Sequence, residues 1–278
     1  MGNKAKIRKE AKKLNPIDDL MFRKMAEDPS FCEEILRVFL SDPDLIVKES
    51  LPQYTGTNLQ GRSVILDARC ILGNGKQIDI EVQKANDDNH QKRVRYNGAI
   101  LTTNTTDPGE KFEIVPDVCI VFISKFDIFK GNLPLYHVDR VIRENREIVK
   151  NGFEEIYVNA KVRDESEVSK LMEVFVKDNI YNSRFPVTSY RKRWYKETEE
   201  GQNSMCEIME RIAEEERRQG RKEGRKEGRK EGRKEGIARV NRLNSILIET
   251  NRFDDLKRAA QDHAYQAKLM LELFPDEL

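Results

Sequence analysis

The sequence predicts an α/β protein: a mixed sheet flanked by helices, followed by a C-terminal helical tail. Three observations predict it. Residues 62–83, RSVILDARCILGNGKQIDIEVQ, read as a β-hairpin. Residues 85–103 read as a helix, and residues 115–124, VPDVCIVFIS, as an unbroken apolar strand behind it. A strand–helix–strand order makes a parallel crossover, while a hairpin adds antiparallel pairing, so the sheet is mixed. Finally, apolar residues recur at helical spacing before the hairpin and again after the last strand.

The hairpin organises the chain. Gly73, Asn74 and Gly75 tolerate the positive φ of a tight loop. Alternation puts Val64, Leu66, Ala68 and Cys70 on one face, joined by Ile78, Ile80 and Val82. The other face carries Asp67, Arg69, Asp79, Glu81 and Gln83. If the loop is 73–75, Leu72 pairs with Lys76. Asp67 then lies opposite Glu81, Arg69 opposite Asp79 and Ile65 opposite Gln83. Opposed carboxylates about 5 Å apart repel unless a cation sits between them. A hard divalent ion is one such cation. A solvated polar face softened by Arg69 is the other reading.

The remaining elements follow in order. Residues 1–14 read as a basic arm, disordered at its start. Asp18, or Asn15 ahead of Pro16, suits a helix N-cap. Leu20, Phe22, Met25, Phe31, Ile35 and Val38 predict one or two helices over 17–40, interrupted near Asp28-Pro29. Residues 41–61 read as irregular, broken by Pro43, Pro52, Gly56 and Gly61. The run 115–124 reads as a fully buried strand. Residues 135–143 and 155–162 read as two further strands with a turn at Asn151-Gly152, and 165–177 as a helix. These elements make one domain over 15–200. A charged linker over 201–236 holds four tandem RKEG units, and a small helical tail covers 237–278. A glycine every fourth residue costs a helix about 1 kcal/mol each, so the repeat reads as a semi-flexible cationic linker.

Bulk composition narrows the function classes. The formal net charge is +1, but residues 1–16 carry six basic residues against one Glu, and residues 221–236 carry eight against four. Such local patches suit phosphate backbones as well as plain solvation. No apolar run reaches the roughly 18 residues of a membrane span. Four scattered cysteines and three scattered histidines offer no zinc-ligand spacing and suit a cytoplasmic protein.

Asp67, a turn, then Glu81-Val82-Gln83 resembles the metal-binding hairpin of the PD-(D/E)XK nuclease superfamily. GRSVILD and GKQIDIEVQ, with PIDDLMFRKMAEDPSFCEEILRVFL before them, are similar to the Rpn family of recombination-promoting nucleases associated with transposases. YHVDRVI and IYVNAK extend the likeness over roughly 15–200. The resemblance implies a PD-(D/E)XK-like αβββαβ core. It implies a Mg²⁺- or Mn²⁺-dependent DNA endonuclease that promotes recombination, with Asp67 and Glu81 as metal ligands. Asp67, Glu81 and Gln83 would be its catalytic residues. Gln83 departs from the superfamily pattern, which has Lys there. The first helix often adds an acidic residue, and Asp19, Glu33 and Glu34 are candidates. Arg93, Arg95 and Tyr96 on the following helix, and Lys84, are candidates for contact with DNA. A catalytically inactive DNA-binding protein, or one that self-associates through the C-terminal helices, is the competing expectation. The residues leave DNA against RNA open.

Overall fold

The computed structural model of the chain describes residues 3–58 and 61–274. Two compact units divide it, one ending at Met209 and the other beginning at Glu210. In the first, helices α1 (Asn3–Ala11), α2 (Asp19–Met25) and α3 (Pro29–Leu40) precede a hairpin-linked run. That run is β1 (Val47–Gly56), β2 (Val64–Leu72) and β3 (Gln77–Gln83). Helix α4 (His90–Asn104) crosses to β4 (Val118–Ser124), which is followed by β5 (Leu135–Val138) and β6 (Phe153–Asn159). Helices α5 (Glu167–Val176) and α6 (Pro186–Glu197) close the unit.

The six strands lie in the order β1-β2-β3-β4-β6-β5. β1, β2 and β3 are antiparallel, β3, β4 and β6 are parallel, and β5 runs antiparallel to β6. This is the mixed sheet flanked by helices that the sequence predicts, with β3–α4–β4 as its crossover. One face packs Ala68, Cys70, Ile78, Ile80 and Val82 against Phe22, Phe31, Ile35 and Phe175 from α2, α3 and α5. The other packs Val118, Ile120 and Phe122 beneath Val94 and Leu101 of α4. Every residue of β4 is buried, as a continuous apolar run requires when helices cover both faces.

The structure corrects several expectations. The region read as irregular holds β1, a ten-residue strand that runs through Pro52. β1 is the edge strand, where a missing N–H leaves no inner ladder unpaired. Leu66 and Val64 do not share a face with Ala68. They pack under α4, beyond a break in the β1–β2 ladder at Gln53 and Asp67, where Gln53 has φ 55°. The basic arm is helical over Asn3–Ala11, and Ala11 is buried in the first core, so the domain starts earlier than residue 15. It also runs later than residue 200, because Met205 belongs to the same core. The first two residues of the arm and the last four of the tail lie outside the described residues.

The RKEG repeat, expected as a semi-flexible linker, takes a regular conformation. It is helical within α7 (Glu199–Glu249), a helix of 51 residues. Helix-forming sequence on both sides supplies the nucleus, and propagation through the glycines is less costly than nucleation would be. The second unit has its own small core. Leu243 and Leu247 of α7 pack with Ala259 of α8 (Phe253–Gln261) and Leu269 of α9 (His263–Leu273).

Gly201 marks where α6 hands over to α7. A Cβ there would stand 2.2 Å from the Trp194 carbonyl oxygen and 2.7 Å from the Tyr195 Cα. Backbone on both sides has to move, and overpacking of this kind costs about 1–3 kcal/mol. Gly201→Ala should lower the denaturation midpoint read by Trp194, the chain's one tryptophan. An unchanged midpoint would show that the close approach is not needed for stability.

Candidate active site

The hairpin forms in the predicted register. Gly75 has φ 89°, and Leu72 donates to the Lys76 carbonyl at 3.0 Å. Ala68 pairs with Ile80, Arg69 with Asp79 and Cys70 with Ile78. Pairing between β2 and β3 ends at Ala68 and Ile80, although both strands continue. Beyond that point side chains replace the ladder. The Asp67 N–H donates to Glu81 Oε1 at 3.2 Å, and the Val82 N–H donates to Asp67 Oδ2 at 3.0 Å. Asp67 and Glu81 therefore face each other across the opening between the strands, 2% and 0% exposed.

Two guanidinium groups hold the remaining oxygens. Arg23, from α2, reaches Asp67 Oδ1 with Nη2 at 2.8 Å and Nε at 3.2 Å. Arg93, from α4, reaches Glu81 Oε2 with Nη2 at 2.6 Å. The helix-to-strand match explains the second contact. Arg93 and Asn97 are one helical turn apart, a rise of about 6 Å. Glu81 and Asp79 are two strand residues apart, about 6.6 Å. Arg93 thus stands over Glu81 while Asn97 Nδ2 points at Asp79 Oδ2, 3.5 Å away.

Charge is concentrated here. Burial, and then the Asp67 carboxylate, push the Glu81 carboxyl up to about 7. Burial, with Glu81 and then Asp67 adding to it, holds Asp79 far above the usual carboxylate range. Asp79 is fully buried and its Oδ1 has no hydrogen-bond partner. Asp19 stands close enough to Asp67 to feel its charge and pairs with Arg23 at 2.5 Å. Burial and Asp67 raise it too, but 52% of its side chain stays exposed, so water screens the effect more than at Glu81.

The structure brings some of the expected residues together and leaves others apart. Asp67, Glu81 and Asp19 meet at the fork. Gln83 joins through Arg93, whose Nη1 lies 3.4 Å from Gln83 Oε1. The Gln83 amide nitrogen donates to the Ala85 carbonyl and to Asp87. Glu33 and Glu34 are elsewhere. Glu33 pairs with Arg37 and accepts from the Val47 N–H, and Glu34 accepts from Val187 and Thr188 at the start of α6. Both are tied to backbone donors, and those of Glu34 are helix-terminal N–H groups that have no partner within the helix. Lys84 pairs with Asp18 at 2.5 Å and does not reach α4. Arg93, Arg95 and Tyr96 line one cleft. Arg69, expected to soften Asp79, instead donates to Gln77 Oε1 and lies over the Tyr54 ring.

Sequence reasoning missed Arg23, Asn97 and the depth of Asp79. Only Arg23 left a signal, its helical spacing from Asp19.

The donor set suits a hard divalent cation. Asp67, Glu81 and Asp19 offer carboxylate oxygens, and their mutual repulsion is what an added positive charge would relieve. Arg23 and Arg93 supply that charge here. Among the described residues no three His, Cys, Asp or Glu side chains are already arranged around a metal position.

A mixed sheet that forks to present two carboxylates, backed by α4 and faced by α2, defines a nuclease-type α/β scaffold. Residues 34–231 match the family model of the PD-(D/E)XK nuclease family transposases, and the chain belongs to that family. The match covers the hairpin and α4 and begins after Asp19 and Arg23. No curated protein and no solved structure matches the chain. Among the described residues no helix is long and apolar enough to cross a membrane.

Proposed function

We propose that the chain is a divalent-metal-dependent endonuclease that cuts DNA and serves recombination of the transposase-associated kind. The observation that carries this reading is the pair of buried carboxylates, Asp67 and Glu81, set face to face where the strands part. Nothing in the packing of a stable sheet calls for two acidic groups there; the arrangement costs stability unless a cation offsets it.

Asp67 and Glu81 would hold the ion, with Asp19 beside them. When bound, a divalent ion would supply Lewis-acid charge and lower the pKa of water, making hydroxide available near neutral pH. The chain's own groups do the rest. Arg93 stands between Glu81 and Gln83, so it provides the positive charge that the superfamily motif carries on Lys in place of Gln83. Gln83 is neutral and acts only by hydrogen bonding. Its amide is already turned to Ala85 and Asp87, which orients its oxygen toward Arg93. Arg93 is released to a phosphate most easily when another cation takes over Glu81.

One observation favours the non-catalytic alternative. All four oxygens of Asp67 and Glu81 already have protein donors. The test is nicking of supercoiled plasmid by the full chain in Mg²⁺ and in EDTA. Cleavage that requires Mg²⁺ supports the enzyme. Binding of plasmid without cleavage in Mg²⁺ or Mn²⁺ moves the assignment to a DNA-binding scaffold.

A further inference from the structure

A cleft opens beside the carboxylates, of about 640 Å³, between the start of β2 and the N-terminal half of α4. Arg62, Lys92, Arg93 and Arg95 line it, with Asp88 the one acidic group among the described residues and Tyr96 and Asn97 at its wall. Arg62, Lys92 and Arg95 are exposed, and none makes an ion pair with a described residue. Three cations gathered without partners around one concave surface repel one another. They are suited to an anion that can meet several of them at once.

We propose that this cleft receives the phosphodiester backbone of a nucleic-acid strand, with Arg62, Lys92 and Arg95 as its phosphate contacts. The proposal rests on the nuclease reading for its direction: the strand would run toward Glu81. Arg93 makes the connection. It lines the cleft and touches Glu81 at 2.6 Å, so the cleft and the carboxylates share one guanidinium. Asn97 repeats the link one turn on, lining the cleft and pointing at Asp79.

The cleft is also braced. The Tyr96 hydroxyl donates to the Arg62 carbonyl at 2.5 Å and accepts from Asn58 Nδ2 at 3.0 Å. The Asn58 N–H in turn donates to Ser63 Oγ at 3.0 Å. The chain entering β2 is thereby tied to α4, which fixes Arg62 relative to Lys92 and Arg95. Phosphate contacts position a strand without reading its bases, so the cleft should bind without sequence preference.

The test is fluorescence anisotropy in EDTA, where the metal reaction is silent. Labelled single-stranded DNA, duplex DNA and RNA of equal length are titrated with the full chain and with Arg62→Gln/Lys92→Gln/Arg95→Gln. Loss of three phosphate contacts on a single strand should reduce the slope of log affinity against log salt by about 2, at roughly 0.7 per contact. Affinity at low salt should fall at least about tenfold. The three strands show which backbone fits best. An unchanged slope and affinity for all three would overturn the proposal and assign binding to another surface, such as the RKEG helix. The proposal and the nuclease reading fail separately. A parent chain that cleaves, with a variant that binds normally, refutes the cleft alone. A parent that never cleaves, with a variant that binds weakly, refutes the nuclease and keeps the cleft. The Trp194 denaturation midpoint should not move in the variant, since all three side chains lie on the surface.

Discussion

Glu81→Gln and Asp67→Asn should each slow metal-dependent plasmid cleavage by about a thousandfold or more. Both substitutions keep the shape of the side chain and remove its charge. Removing one properly placed charged or polar group from a transition-state site costs about 3–4 kcal/mol, which is a factor of 10²–10³. Each is also a proposed holder of the metal, so its loss adds to that, because the ion would then be held less often. Neither change should unfold the chain. The amide oxygen of Asp67→Asn still accepts from the Val82 N–H or from Arg23, and that of Glu81→Gln still accepts from the Asp67 N–H. The measurement is initial nicking rate at saturating Mg²⁺, with Trp194 fluorescence confirming the fold. Rates within tenfold of the parent would mean the chemistry happens elsewhere.

The hairpin was legible because two independent local signals agree. The Gly73-Asn74-Gly75 loop sets the register, and period-two alternation sets the faces. Together they are enough to bring Asp67 level with Glu81. The parallel crossover is legible for a similar reason: an apolar run of six residues, Val118 to Ile123, has few places to go except the middle of a sheet. The family model confirms the fold that these signals, and the resemblance, implied.

What escaped was decided by distant partners. The pattern shows that Asp79 and Glu81 share a face, but not that α4 seals that face from water. Asp79 lies opposite Arg69 in the register, but Arg69 lies over Tyr54 of edge strand β1, a strand with no local signal. Arg23 serves Asp67 only because α2 crosses the fork. Glu33 and Glu34 have the same chemistry as Asp19. They differ in what their turn of helix faces: Glu34 meets the start of α6, and Asp19 meets Asp67. The RKEG repeat is helical where local propensity predicts a semi-flexible linker, because a helix already nucleated on both sides tolerates weak residues between.

In EDTA, the parent's unfolding free energy should fall relative to that of Glu81→Gln as pH rises from about 5 to about 8. The sign follows from linkage. The Glu81 carboxyl titrates near 4.5 when unfolded and at about 7 when folded. Between those values the folded chain binds more protons than the unfolded one, so raising pH favours unfolding. The stability is present below about 4.5 and is lost as pH passes through 7. A shift of this size sets a ceiling of about 3 kcal/mol at roughly 1.4 kcal/mol per pH unit, and sharing of charge with Asp67 puts the expected loss at about 1–3 kcal/mol. Comparison with Glu81→Gln is needed because Asp19 and Asp79, both raised by burial, change stability in the same sense, while His90, held below its usual range by burial, changes it in the opposite sense over part of this window. Carboxylates held low act only at more acid pH, among them Asp28, where burial is outweighed by Arg191 and the Ser30 N–H, and Asp178, drawn low by Asn15 and Lys196. Denaturant titration followed by Trp194 fluorescence reads the first unit alone, because that tryptophan packs on its core. A parent and variant with parallel pH profiles would show that Glu81 carries no stored repulsion. Diverging profiles that converge when Mg²⁺ is added would show that the ion offsets the same repulsion that the substitution removes. A variant that loses cleavage yet is the more stable protein at pH 8 without metal would mark Glu81 as kept for chemistry at a cost to the fold.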